Sequence, residues 1–196
     1  MRNIRYLALL LFALLTATAC SDDDNGSGNN NKKGIRNTVV MYVSAENSLG
    51  YQKFHNSDST EIMAGSQFLN SRDQMIMYVD DAQNPRIYRI YKGCRKPQLL
   101  KKFSTNLCSS ETLRELLSWV KQTYPSERYG LVMWSHADGW LPSWNTDYKS
   151  SKSFGIDVGT GGDMKYDTDS RFRYGASMEI EDLARAVSES GMRPQY

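Results

Sequence analysis

With 196 residues, the chain holds one domain of ordinary size once its ends are discounted. Basic residues number 24 and acidic ones 22, and without Arg2 and Arg5, which lie in residues 1–19, the two balance. A chain with no basic excess and no basic stripe is not built to bind nucleic acid.

The first residues read as a targeting segment. Arg2 and Arg5 precede an apolar run from Tyr6 to Leu15, and the small residues Ala17-Thr18-Ala19 lead to Cys20. That order of charged, apolar and small residues is the order of a secretory signal peptide over residues 1–19. The apolar run falls short of the ~20 residues that a membrane-spanning helix needs. Ala17-Thr18-Ala19-Cys20 resembles a bacterial lipobox, with Ala17 where leucine is usual, and Ser21-Asp22-Asp23-Asp24 resembles the surface-export signal of Bacteroidetes lipoproteins. Those resemblances imply that Cys20 is acylated and holds the protein to the outer membrane, facing the cell surface. Residues 20–36, acidic and then rich in Asn, Gly and Ser, cannot bury a core and form a flexible tether.

Residues 37–196 carry the globular pattern. Thr38 to Val43 is a continuous apolar, β-rich run, which predicts a strand buried on both faces. Ser44 to Tyr51 reads as a polar loop. Ser59 to Leu69 reads as a helix with Ile62, Met63, Phe68 and Leu69 inward. Gln74 to Val79 is a second buried strand, and a turn over Asp80 to Pro85 leads to an edge strand at Arg86 to Tyr91. A short strand follows at Gln98 to Phe103. The next helix has Ser109 or Ser110 as cap, Glu111 in its first turn, and Leu113, Leu116, Leu117, Val120 and Tyr124 on one face before Pro125. Tyr129 to Ser135 is a third buried strand, followed by a polar, Gly-bearing segment from His136 to Tyr174. Glu179 to Ser190 closes the series as a helix with Ile180, Leu183, Ala184 and Val187 inward and Gly191 as its stop.

Strands alternating with helices at these spacings predict an α/β sandwich with a mostly parallel sheet. Met192 to Tyr196 has the length of an αβ loop, so the sheet is expected to be incomplete at the C-terminus, with its next strand starting at about Tyr196.

Open α/β sheets place their sites beyond the carboxyl ends of their strands. His136 stands there, directly after the third strand, and imidazole is the commonest general base near neutral pH. The remaining chemistry-bearing residues read more simply. His55 lies in a polar stretch and reads as solvated. Cys94 and Cys108 belong to no CxxC pair, and with two histidines in all they argue against a zinc site; they read as semi-buried thiols or as a disulfide. Asp157, Asp163, Asp167 and Asp169 offer hard oxygen ligands for calcium but lack the EF-hand spacing, so a solvated loop is the plainer reading. Trp134, Trp140 and Trp144 read as packing residues, with a binding surface as the alternative.

The stretch from Tyr124 to Trp140 resembles the histidine motif of the clostripain family of cysteine peptidases: a helix ending in Tyr124-Pro125, a strand ending in Trp134, then His136 and Gly139-Trp140. Val39 to Tyr42 resembles that family's opening strand, Phe154 to Asp157 the segment after the histidine loop, and Met178 to Val187 the helix before the nucleophile strand.

The resemblance implies a caspase-like fold and proteolysis directed at arginine and lysine, with His136 as general base. Ala137 stands where the family usually has glycine, and its backbone N–H is a candidate oxyanion donor. The resemblance places the nucleophile in an Asp-Ala-Cys sequence after the next strand, so this chain is expected to lack it and to be inactive alone, unless a second chain completes the domain. Lys149 and Lys152 fall where related enzymes cut themselves, and calcium is a cofactor that clostripain-like enzymes can use. The alternative reading is a non-catalytic surface lipoprotein, a degenerate peptidase serving as a binding module.

Overall fold

The computed structural model describes residues 34–81, 83, 85–103, 108–137, 153–157 and 176–196. Strand β1 (Ile35–Ser44) belongs to a five-stranded sheet with β2 (Asp73–Asp80), β3 (Arg86–Tyr91), β4 (Gln98–Lys102) and β5 (Ser126–Trp134). The order across the sheet is β4-β3-β2-β1-β5. β1 pairs in parallel with β2 on one side and β5 on the other, whereas β3 and β4 form an antiparallel extension. β3 is therefore not the edge strand expected from its sequence, because β4 covers it. Residues alternate faces along a strand. Val40, Tyr42, Ile76 and Tyr78 pack on one side of the sheet, and Met41, Val43, Met77 and Val79 on the other. Directly paired Tyr42 and Tyr78 stack with ring centroids 4.8 Å apart.

The helices form the outer layers. α1 (Ser48–Tyr51) and α2 (Phe54–Gly65) follow β1, and Ile62 and Met63 of α2 pack on the face holding Met41 and Val43. A 3-10 turn over Ser66–Phe68 ends this segment. α2 starts earlier than the sequence suggests, and Phe68, expected inward, is 90% exposed. The amphipathic α3 (Ser110–Thr123) covers the opposite face, burying Leu113, Leu116, Leu117 and Val120, and Ser109 caps it by accepting from the Thr112 N–H. Each fully buried side chain of that size contributes about 1.5–3 kcal/mol. α4 (Ile180–Glu189) packs beside α3 with Ala186 buried and Ile180, Leu183 and Val187 half-buried, while Ala184, expected inward, faces solvent.

A polar chain crosses four strands of the sheet. Arg89 Nε donates to Gln74 Oε1 (2.7 Å), Gln74 Nε2 donates to Thr38 Oγ1 (2.9 Å), and Thr38 Oγ1 lies 2.5 Å from Ser126 Oγ. Thr38 and Gln74 are buried, and a slip in register would leave them without partners.

Two further strands, β6 (Ser153–Asp157) and β7 (Ala176–Glu179), pair antiparallel in a small second sheet. The polar segment after His136 thus contains a strand. Phe154 and Met178 join the core beneath α3, Phe154 meeting the Tyr42 ring edge-on at 6.4 Å.

After α4 the backbone runs back along β5. Gln195 N donates to Tyr129 O (2.8 Å), Leu131 N donates to Tyr196 O (2.9 Å), and Pro194 bridges Tyr129 in parallel. Strand pairing therefore opens at Pro194, two residues before the expected start. Gly130 allows it, since a Cβ there would overlap the Tyr196 ring.

Candidate active site

The parallel strands β1, β2 and β5 end side by side, with Val43 paired to Trp134 and Ser44 to Asp80. Beyond those ends the chain turns tightly. Ala45 N donates to Asp80 O (2.6 Å), and Gly50 packs against the Ala45 carbonyl where a Cβ would overlap.

Asn47, read from sequence as part of a polar loop, is 2% exposed and organises this corner. Its Oδ1 accepts from the Leu49 N–H (3.0 Å), capping α1. Its Nδ2 donates to Ser44 O (3.0 Å) and to Ser135 Oγ (3.2 Å). One amide therefore joins the end of β1, the end of β5 and the start of α1. Sequence gave one usable signal, an Asn directly before a short helical stretch; its partners are invisible without the fold.

His136 follows Ser135 at the lip of the sheet and is half-buried. Its Nε2 lies 2.8 Å from Ser48 Oγ, and its carbonyl accepts from Gly155 N (3.0 Å). Ala137 bridges Phe154 antiparallel and is exposed. Lys53 is the only described non-glycine residue with positive φ, so Ala137 sits without the strain that would demand glycine. Gly155 has φ +75°, and a Cβ there would run into Cys108 Sγ.

Neither described cysteine is in a disulfide, and both are buried. Cys94 belongs to the cluster on the α2 face and Cys108 to the cluster on the α3 face, so the sheet separates them and the disulfide reading fails. Cys94 follows β3, whose end at Tyr91 pairs with Gln74 at the start of β2; it lies at the opposite end of the sheet from His136. Cys108 is 1% exposed, with Sγ 4.0 Å from Phe154 O, where solvent and substrate do not reach.

His55 corrects the sequence reading most plainly. It is not solvated but 7% exposed, with Nε2 3.2 Å from Asp81 Oδ2 and its ring edge-on to Trp134 at 6.3 Å. Arg86 grips the same carboxylate with both terminal nitrogens, at 3.0 and 2.8 Å, and Gln83 N adds a third donor at 2.9 Å. Burial opposes the charge on Asp81, but these donors prevail and hold its carboxyl below the ordinary range. Burial likewise works against the Arg86 cation, and Asp81 reverses it, raising its pKa.

Trp134 donates from Nε1 to Asp58 Oδ2 (2.7 Å), which supports the packing reading for this tryptophan. Trp140, Trp144, Lys149, Lys152 and Cys20 lie outside the described residues, as do Asp163, Asp167, Asp169 and the side chain of Asp157. Among the described residues no group of three His, Cys, Asp or Glu side chains is gathered to hold a metal ion.

Comparison with known proteins places this geometry. None of the curated proteins matches the chain. A secreted C11 cysteine protease from Bacteroides thetaiotaomicron, solved with an irreversible peptide inhibitor, superposes with a TM-score of 0.61 at 25% identity over 79% of this chain and 39% of that one. A B. fragilis cysteine protease superposes at 0.50 with 26% identity, over 56% of this chain and 95% of that one. A second structure of a secreted C11 cysteine protease from B. thetaiotaomicron, "iotapain", shares the fold at 0.57 with 19% identity, over 84% of this chain and 45% of that one. The chain thus spans less than half the length of the two B. thetaiotaomicron chains. Its mixed α/β architecture, with a central and mostly parallel sheet, is that of these caspase-like proteases. The model of the clostripain family, Peptidase_C11, matches residues 41–169, well over half of the sequence, and the chain belongs to that family.

Proposed function

We propose that residues 37–196 form the histidine-bearing part of a clostripain-type cysteine endopeptidase that cleaves after arginine or lysine. The observation that carries this reading is the placement of His136 at the end of β5, with its backbone held by Gly155 and its ring by Ser48. In this mechanism His136 takes the proton from a cysteine Sγ, the thiolate attacks the peptide carbonyl, and the leaving amine receives the proton. Ala137 N–H is the candidate donor to the oxyanion. The thiol is assigned to residues continuing the strand opened by Pro194–Tyr196, in the same polypeptide or in a second chain. The parallel bridge of Pro194 with Tyr129, followed by the bond from Leu131 N to Tyr196 O, supports this, because it aims that strand toward the end of the sheet where His136 stands.

Residues 1–19 are assigned as signal peptide and the stretch from Cys20 up to β1 as a tether lipidated at Cys20, which puts the enzyme on the outer membrane. The relatives described as secreted support export. Lys149 and Lys152 are the candidate self-cleavage points.

The test is hydrolysis of arginyl and lysyl peptide substrates by a protein carrying the continued strand, with His136→Ala alongside. Activity in the parent and none in the folded variant supports the reading. Equal activity in both, or hydrolysis by residues 20–196 alone, overturns it.

A further inference from the structure

Ser48 is the first residue of α1, a single turn that would ordinarily fray in water. Here it is held from three directions. Asn47 caps it through Oδ1 and anchors it through Nδ2 to Ser44 and Ser135, using both N–H donors of the amide and its oxygen. Gly50 fits under the Ala45 carbonyl, which folds the turn back on the end of β1. Ser135, the residue preceding His136, shares the Asn47 amide, so Ser48 and His136 hang from one anchor. The 2.8 Å contact between Ser48 Oγ and His136 Nε2 follows from that shared support.

We propose that Ser48 is a positioning residue for His136: its hydroxyl engages Nε2, sets the ring's rotation, and determines which ring nitrogen carries the proton in the neutral state. An imidazole acts as a base only through the nitrogen that lacks a proton, and a partner on one nitrogen biases that choice. A hydroxyl suits the task because it accepts from Nε2–H in the neutral ring, leaving Nδ1 as the nitrogen without a proton, and keeps that contact when Nδ1 takes one. Asn47 is the support that keeps Ser48 in reach. The inference rests on the reading of His136 as a base, but its own test does not require catalysis.

The chain contains two histidines, so its ring nitrogen spectrum holds two sets of signals, with buried His55 as an internal reference. In the parent chain the His136 ring is expected to report one dominant neutral form. In Ser48→Ala the ring is expected to shift to a mixture of the two forms, with His55 unchanged. Ser48→Thr, which keeps the hydroxyl, is expected to return the parent spectrum. In a protein carrying the nucleophile, Ser48→Ala should lower kcat by about 10- to 100-fold with KM nearly constant, as expected of a misplaced base. Identical His136 signals in parent and Ser48→Ala overturn the inference, and so does a threonine variant that matches alanine while remaining folded. His136→Ala retaining full hydrolysis overturns instead the reading beneath it.

Discussion

Trp134 Nε1 donates to Asp58 Oδ2 across 2.7 Å, joining the last residue of β5 to α2, 76 positions earlier in the chain. With His55 edge-on to the same indole, it fastens the helix that follows the Ser48 turn onto the end of the sheet. Hydrogen bonds to a charged acceptor contribute more than neutral ones, so Trp134→Phe, which keeps most of the ring, should cost about 1–2 kcal/mol. Chemical denaturation followed by circular dichroism checks this. A midpoint unchanged from the parent would show that the indole contributes by packing alone.

Arg86 and Asp81 are nearly out of solvent, with side-chain exposures of 13% and 9%. Arg86→Met leaves the carboxylate buried with His55 and Gln83 as its remaining partners, and should cost about 3 kcal/mol. The pH dependence has a definite sign. The folded carboxyl of Asp81 titrates below the ordinary aspartate value of 3.8, so in acid the unfolded chain binds its proton first. The stabilisation is present above 3.8 and disappears as pH falls through the folded value. Asp81→Asn should therefore narrow its stability gap with the parent below that pH, measured as the difference in urea midpoints. A constant gap across the acid range contradicts this assignment.

Gly155 combines φ +75° with contact against Cys108, and its N–H holds the His136 carbonyl. Gly155→Ala should destabilise the fold by about 1–2 kcal/mol from backbone strain alone. The added methyl must also displace the Cys108 sulfur, so Cys108 should react faster with a thiol reagent. Thermal melting and timed alkylation read by mass spectrometry measure the two effects. Parent-like values in both would exclude a strained backbone at this position.

The proposed anchor at Cys20 gives a separate expectation. Expressed in a bacterium that processes lipoproteins, the parent should partition into detergent and carry an acyl mass on Cys20, whereas Cys20→Ala should stay aqueous. Equal partitioning of both proteins removes the lipid assignment without touching the fold.

Local pattern was enough wherever burial follows the chain's own periodicity. The leucines of α3 sit at helical spacing, so their inward face was legible, as was the continuous apolar run of β1. Similarly, the position of His136 directly after an apolar strand pointed to the lip of a parallel sheet. Helix α2 was less legible because its start is fixed by tertiary contacts. Lys53 takes a left-handed conformation before it, without a side-chain cap, and His55 is drawn inward by Asp81.

The sequence by itself determined the five strands of the main sheet, helices α3 and α4, the class of sheet and the placing of one imidazole at a strand end. The tertiary structure decided strand order, the covering of β3 by β4, and the polar partners. Asn47 meets Ser135, and Ser48 meets His136, each across 88 positions; His55 meets Asp81 across 26. The physical reason is the range of the forces. Hydrophobic periodicity is written into neighbours along the chain, whereas a buried hydrogen bond is specified only when two distant segments arrive with the right atoms facing each other.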